Sequence, residues 1–273
     1  MKKLLALGLI SASLMAGEIQ FGKGDFSLNG GFVGVNGSTD VTSFSIFEQH
    51  KELFSSKWFY NYDITWYDSD DLNDKQSTLN QLQPVVNTTA YKLEGLDVNL
   101  AIGRDVIKKS EDDFIGIGLA LGVTLPWIDS ENNSDNGDDA QETLKKTKTE
   151  IMTYKVGPMI AMRKSFNEYI MGYANATYAY QTGNIKNKEL DVDQNVDGTY
   201  FNYGFGIRFQ PFKTEKKLGF VTLKPKLYFT LGYKYNKWVV KDVSLDVSGK
   251  GLNYKSDLNL ETSVAYLGVG YSF

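Results

Sequence analysis

The chain has 273 residues, a net charge of −4, no cysteine and a mean hydropathy of −0.31. These values exclude a disulfide-stapled scaffold, a thiol nucleophile and a lipid-anchored cysteine, argue against a nucleic-acid partner, and are too polar for a bundle of membrane helices. Seventeen Tyr and sixteen Phe against five Pro favour strands over helices or disorder.

The chain opens on Met1-Lys2-Lys3, a short basic segment, followed by an apolar run over 4–15 and the small pair Ala16-Gly17. This is the pattern of an export signal, with cleavage expected after Ala16. The apolar run is too short to span a bilayer, which takes about 20 residues. Residues 17–273 then form one domain.

Within that domain apolar residues alternate with polar or small ones, segment after segment. Phe26, Leu28 and Phe32 oppose Ser27, Asn29 and Gly31. Trp58, Tyr60, Tyr62, Ile64 and Trp66 oppose Asn61, Asp63 and Thr65. The run Ile115, Ile117, Leu119, Leu121 and Val123 opposes Gly116, Gly118, Ala120 and Gly122. In 199–210 the set Phe201, Tyr203, Phe205, Ile207 and Phe209 falls opposite Asn202, Gly204, Gly206 and Arg208. A helix would spread these residues all round its axis; a strand divides them between two faces. The spacing predicts ten strands, over 25–36, 40–48, 56–68, 86–105, 113–127, 147–164, 168–182, 198–212, 219–241 and 253–273. In the fourth, Tyr91 and Leu93 fall out of phase with Leu96, Val98 and Leu100. That break predicts a bulge at Glu94-Gly95, or else a tight turn there and a twelve-stranded version.

The last segment, 263–273, puts Ala265, Leu267, Val269, Tyr271 and Phe273 on one face and ends on an aromatic residue. An export signal, alternating strands and a terminal aromatic strand together resemble bacterial outer-membrane β-barrels. The resemblance extends to the small, porin-like barrels of Gram-negative bacteria. It implies an all-β, antiparallel, up-and-down transmembrane barrel in the outer membrane, with both termini in the periplasm and an even strand number. With ten strands the connections near 49–55, 106–112, 165–167 and 213–218 are periplasmic and short. Those near 69–85, 128–146, 183–197 and 242–252 are external and longer. Trp66, Trp127 and Trp238 are expected in an outer aromatic girdle, and Trp58, Tyr271 and Phe273 in an inner one. A soluble barrel with its apolar face turned inward would show the same alternation.

Lumen-facing charges follow from the same phase: Asp63, Asp97, Lys155, Arg163, Arg208, Lys226 and Lys234. Two readings compete, a salt-bridged and filled interior or a narrow charged pore for small polar solutes. Eight strands are just filled by side chains and wide channels need 16–18, so ten favour the filled interior. The resemblance implies the lipid bilayer, lipopolysaccharide and the outer-membrane assembly machinery as partners, the last reading the strand that ends in Phe273.

Catalytic chemistry is sparse. His50 is the single histidine and falls near a periplasmic turn. Omptin proteases resemble the strand number, but pair His with Asp at the outer rim. Outer-membrane phospholipase A carries His two residues before its Ser, where Glu52 stands here. His50 precedes Ser55 and Ser56, the pairing of lipid A deacylases, yet on the side away from surface lipid. The expectation is a non-enzymatic barrel with no cofactor. Residues 129–142 hold six acidic residues and no basic one; their spacing does not match an EF-hand, and they read as a solvated external loop. Gly116-Ile117-Gly118 lacks the spacing and helix of a phosphate loop.

Overall fold

The computed structural model describes residues 17–30, 35–51, 57–74, 88–107, 113–133, 146–188, 192–212, 216–218, 221–223, 227–247 and 252–271. Alternation becomes long antiparallel strands: β1 (Gly17–Gly30), β2 (Val35–Lys51), β3 (Trp58–Ser69), the short β4 (Leu72–Asp74), β5 (Thr88–Asp105), β6 (Phe114–Asn133), β7 (Lys146–Ser165), β8 (Ile170–Asn187) and β9 (Val192–Phe209). A small separate hairpin, β10 (Lys216–Leu218) with β11 (Val221–Leu223), precedes β12 (Leu227–Val247) and β13 (Leu252–Tyr271). There is no helix among the described residues.

Ten strands pair in sequence order, β1 with β13 and β3 with β5 completing the ring. The architecture is a closed, ten-stranded, antiparallel up-and-down barrel. One lateral row of paired residues runs Tyr154, Val123, Val98, Ile64, Ile46, Ile19, Val269, Phe229, Phe209 and Ile170. Ile170 then accepts from Phe166, one residue past the end of the strand where the row began, an offset of twelve residues (154 to 166). That stagger tilts the strands by about 40°. Every residue in the row is apolar, and the row lies on the outer wall. Leu267 and Leu231, two residues further along their strands, are 66% and 64% exposed. An outer wall of exposed Leu, Ile, Val and Phe around an interior holding Lys, Arg, Asp and Glu is the reverse of a soluble barrel. It suits lipid outside, and the barrel spans a membrane.

The structure revises several element predictions. β1 begins at Gly17 rather than 25, and Phe26 and Leu28 point into the barrel, where both are buried; Phe32 lies outside the described residues. β5 runs against β6 without a register shift, so there is no bulge at Glu94-Gly95. The phase break has another cause: Leu96, Val98 and Leu100 face lipid, while Tyr91 and Leu93 join an apolar layer inside the outer half of the barrel. Gly95 serves close approach, since a Cβ there would meet the backbone of Leu125 and Pro126 at 2.8 and 2.7 Å. The extra hairpin of the twelve-stranded alternative reduces to β4, three residues paired on the outer end of β5. β8–β9 and β12–β13 stay paired to Asn187–Val192 and Val247–Leu252, which extends β8, β9 and β12 well past their predicted ends at 182, 198 and 241. Beyond the lipid band no residue needs to be apolar, so the pattern fades while the backbone ladder continues. The connection between β9 and β12 is longer than predicted and carries the β10–β11 hairpin at the inner end.

Candidate functional site in the barrel interior

The interior is stratified. The outer half holds one apolar cluster that includes Phe26, Leu28, Val41, Leu93, Ile151, Ile185, Val240 and Leu260. These side chains come from strands all round the ring and meet inside it, covering the layer beneath on its outer side.

The middle layer is polar and bonded across the lumen. Asp97 on β5 accepts from Lys155 Nζ at 2.5 Å, Thr124 Oγ1 at 2.5 Å and Asn99 Nδ2 at 2.6 Å. Tyr200, reaching over from β9, donates to the same carboxylate at 3.1 Å, and its ring lies 3.8 Å from the Lys155 ammonium. The Lys155 and Asp97 side chains are 2% and 3% exposed. Asn236 Nδ2 on β12 donates to Tyr67 Oη on β3 at 2.7 Å, and its Oδ1 accepts from Asn202 at 2.7 Å. One step inward, Lys234 Nζ meets Asp63 at 2.8 Å, joining β12 to β3 across the ring, and Thr65 Oγ1 donates to Asp63 at 2.7 Å. A buried charge is tolerated only when paired and hydrogen-bonded, and both lysines meet that condition.

The inner end is closed by two groups. On one side the Phe59 and Phe114 rings pack 5.5 Å apart against Met159 and Ala161. On the other, Arg208 Nε donates to Glu18 at 3.1 Å, Gln20 Nε2 donates to the same carboxylate at 2.7 Å, and the guanidinium lies between the Tyr173 and Tyr228 rings at 4.8 and 4.6 Å. Tyr173 and Tyr266 share a 2.6 Å hydroxyl contact. Gln49 Nε2 on β2 donates to the Met162 carbonyl on β7 at 2.9 Å, and Arg163 lies over the Phe114 ring.

Of the charged residues assigned to the lumen, Asp63, Asp97, Lys155, Arg208 and Lys234 therefore lie inside, in three ion pairs completed by Glu18. Arg163 stands at the inner mouth, and Lys226 lies outside the described residues. Sequence reasoning missed Glu18 because the first strand was started too late. The alternation of Glu18 and Gln20 with Ile19 and Phe21 carried the signal.

On the outer wall, Trp66 and Trp127 form an edge-on pair at 5.4 Å, and Trp58 sits eight residues from Trp66 on β3. At about 3.3 Å per residue and about 40° of tilt, that is roughly 20 Å of height, close to the apolar band of such barrels. Tyr271 lies at the inner end of β13, and Phe273 is outside the described residues. Trp238 is a correction. It was expected in the outer girdle but points inward, 4% exposed, its Nε1 donating to Thr124 Oγ1 at 3.1 Å and its ring 5.9 Å from Tyr67. Alternation within β12 places it on the same side as Lys234 and Asn236. Much of the acidic stretch 129–142 lies outside the described residues.

The fold is that of an outer-membrane β-barrel. No family model and no curated protein matches the sequence. Among solved structures, the chain is similar to the outer membrane protease OmpT from Escherichia coli, with a TM-score of 0.51 at 8% identity, covering 94% of each chain. It also matches the translocator domain of the autotransporter NalP from Neisseria meningitidis (TM-score 0.42, 9% identity, 100% and 96% covered). The outer membrane protein OprG from Pseudomonas aeruginosa matches with a TM-score of 0.34 at 10% identity, covering 94% and 96%.

Proposed function

We propose that this chain is a closed, non-enzymatic barrel of the outer membrane that presents its external connections at the surface and does not conduct solutes. The observation that carries this reading is the set of side-chain bonds crossing the lumen: Lys234 to Asp63, Tyr200 to Asp97, Asn236 to Tyr67 and Gln49 to the Met162 carbonyl. Each joins strands on opposite sides of the ring, and an apolar layer covers them on the outer side. An ion entering this interior would first have to break a buried, hydrogen-bonded pair.

OmpT is a protease, so hydrolysis is the competing reading. Here the single histidine, His50, lies at the inner end of β2, its ring 5.7 Å from that of Tyr60. That is the periplasmic end, opposite the surface where an external substrate would arrive. Lipopolysaccharide outside and the assembly machinery inside are the partners this reading expects.

Planar-bilayer recording on the refolded protein tests the proposal. The expected result is no step conductance above the empty bilayer. Reproducible single channels whose ion selectivity changes in Lys234→Gln would overturn it in favour of a narrow pore.

A further inference from the structure

The two ends of the barrel differ in charge, and the inner rim carries a cation that the interior network does not use. Arg104 on β5 is paired across the ladder with Trp58 on β3, both on the lipid-facing side. Its guanidinium carbon lies 5.6 Å from the centre of the indole ring. Below them on the same wall, Ile102 and Leu100 are exposed to lipid. Lys23, Lys92 and Lys237 on the outer wall are each matched to Asp40, Asp68 or Glu261. Lys164 at the inner end is matched to Asp113. Arg104 is exposed and has no carboxylate within ion-pair distance among the described residues.

We propose that Arg104, held on Trp58, binds the phosphate of an anionic phospholipid in the inner, periplasm-facing leaflet. Trp58 marks the inner edge of the apolar band, the depth at which headgroup phosphates lie. An indole face fixes a guanidinium by cation–π attraction and leaves its N–H fork directed outward, the geometry that takes two phosphate oxygens at once. The charge elsewhere on the two ends has the matching signs, the inner connection lying across the ring from Arg104. The inner connection over 210–226 contains five Lys and one Glu, whereas the outer stretch over 129–142 contains six acidic residues and no basic one. Basic groups at a membrane surface draw anionic lipid, and acidic ones repel it.

The test is native mass spectrometry of the full barrel released from vesicles containing neutral phosphatidylcholine and anionic phosphatidylglycerol. The wild type is expected to retain phosphatidylglycerol preferentially. Arg104→Gln should reduce that preference about fivefold, the effect of one basic group at an anionic surface. Arg104→Lys keeps the charge without the fork and should retain an intermediate preference. Trp58→Leu should weaken retention while leaving the charge in place. Heat-dependent gel mobility checks that each variant remains folded. An Arg104→Gln barrel that stays folded and retains phosphatidylglycerol like the wild type would overturn the proposal. So would loss of the lipid on adding inorganic phosphate alone, which would make the site a bare anion site.

Discussion

The Lys155–Asp97 pair offers the sharpest measurement of whether the interior is dry. Both side chains are almost wholly shielded, and the carboxylate takes donors from Lys155, Thr124, Asn99 and Tyr200. Removing one partner of such a pair leaves the other charge buried, at a cost of about 3–5 kcal/mol. Lys155→Met leaves Asp97 with three neutral donors, so its cost belongs at the lower end, about 3 kcal/mol. Asp97→Leu strips Lys155 of its counter-charge and leaves mainly the Tyr200 ring, so it belongs near about 5 kcal/mol. These losses shift the folded-to-unfolded ratio by about two to three and a half powers of ten. The double variant removes both charges, and its residual cost is the acceptor lost by Thr124, Asn99 and Tyr200, about 1 kcal/mol for each bond. The coupling energy of the cycle should therefore reach about 5 kcal/mol, above the usual range for residues in contact. Urea unfolding of the refolded barrel in phospholipid, followed by tryptophan fluorescence, measures all four corners. Single variants costing less than about 1 kcal/mol and adding without coupling would mean a water-screened pair. That result would refute the closed interior.

Two further predictions address the wall. Leu267→Arg, on the lipid-facing side of β13, should destabilise the barrel by about 2–4 kcal/mol in the same unfolding assay; a neutral result would contradict lipid on that face. Trp238 should be shielded from lipid and Trp66 should not. Single-tryptophan variants in brominated phospholipid should show strong quenching for Trp66 and little for Trp238, and equal quenching would return Trp238 to the girdle.

Strand number, closure and the lipid-facing side of most strands were legible because a wall between lipid and lumen forces a strict period of two. Tyr62, Ile64 and Trp66, Leu96, Val98 and Leu100, and Leu119, Leu121 and Val123 each show it. What alternation cannot supply is the identity of each face where both are apolar. In the outer half of the barrel the interior is itself apolar, so Phe26, Leu93 and Trp238 carry the chemistry of a lipid face while pointing inward. Tyr91 and Leu93 looked like a broken strand for that reason alone. The cross-lumen partners were illegible for a different reason. Which residue of β12 meets which residue of β3 depends on the twelve-residue stagger, a property of the closed ring that no single segment encodes.

The stratification explains how ten strands can be filled at all. A ring of this size is wider than the eight-stranded barrels that side chains just fill, so small interior residues alone would admit water. The chain instead lays large rings flat against interior glycines. A Cβ at Gly232 would strike the Tyr266 hydroxyl at 2.3 Å, and one at Gly116 would strike the Phe59 ring at 2.2 Å. Glycine on one strand thus makes room for an aromatic ring projecting from another, and that ring thickens the inner lining. Long, hydrogen-bonding side chains then meet near the axis: Tyr200 with Asp97, Lys234 with Asp63, Arg208 with Glu18. The Lys155–Asp97 pair beneath the apolar outer layer is the most shielded of the three ion pairs, and loss of water strengthens it. The glycine-rich strands and the buried charges are therefore parts of one arrangement. Enlarging Gly232 should push Tyr266 off Tyr173 and loosen the Glu18–Arg208 group beside it, although Gly232 touches neither charge.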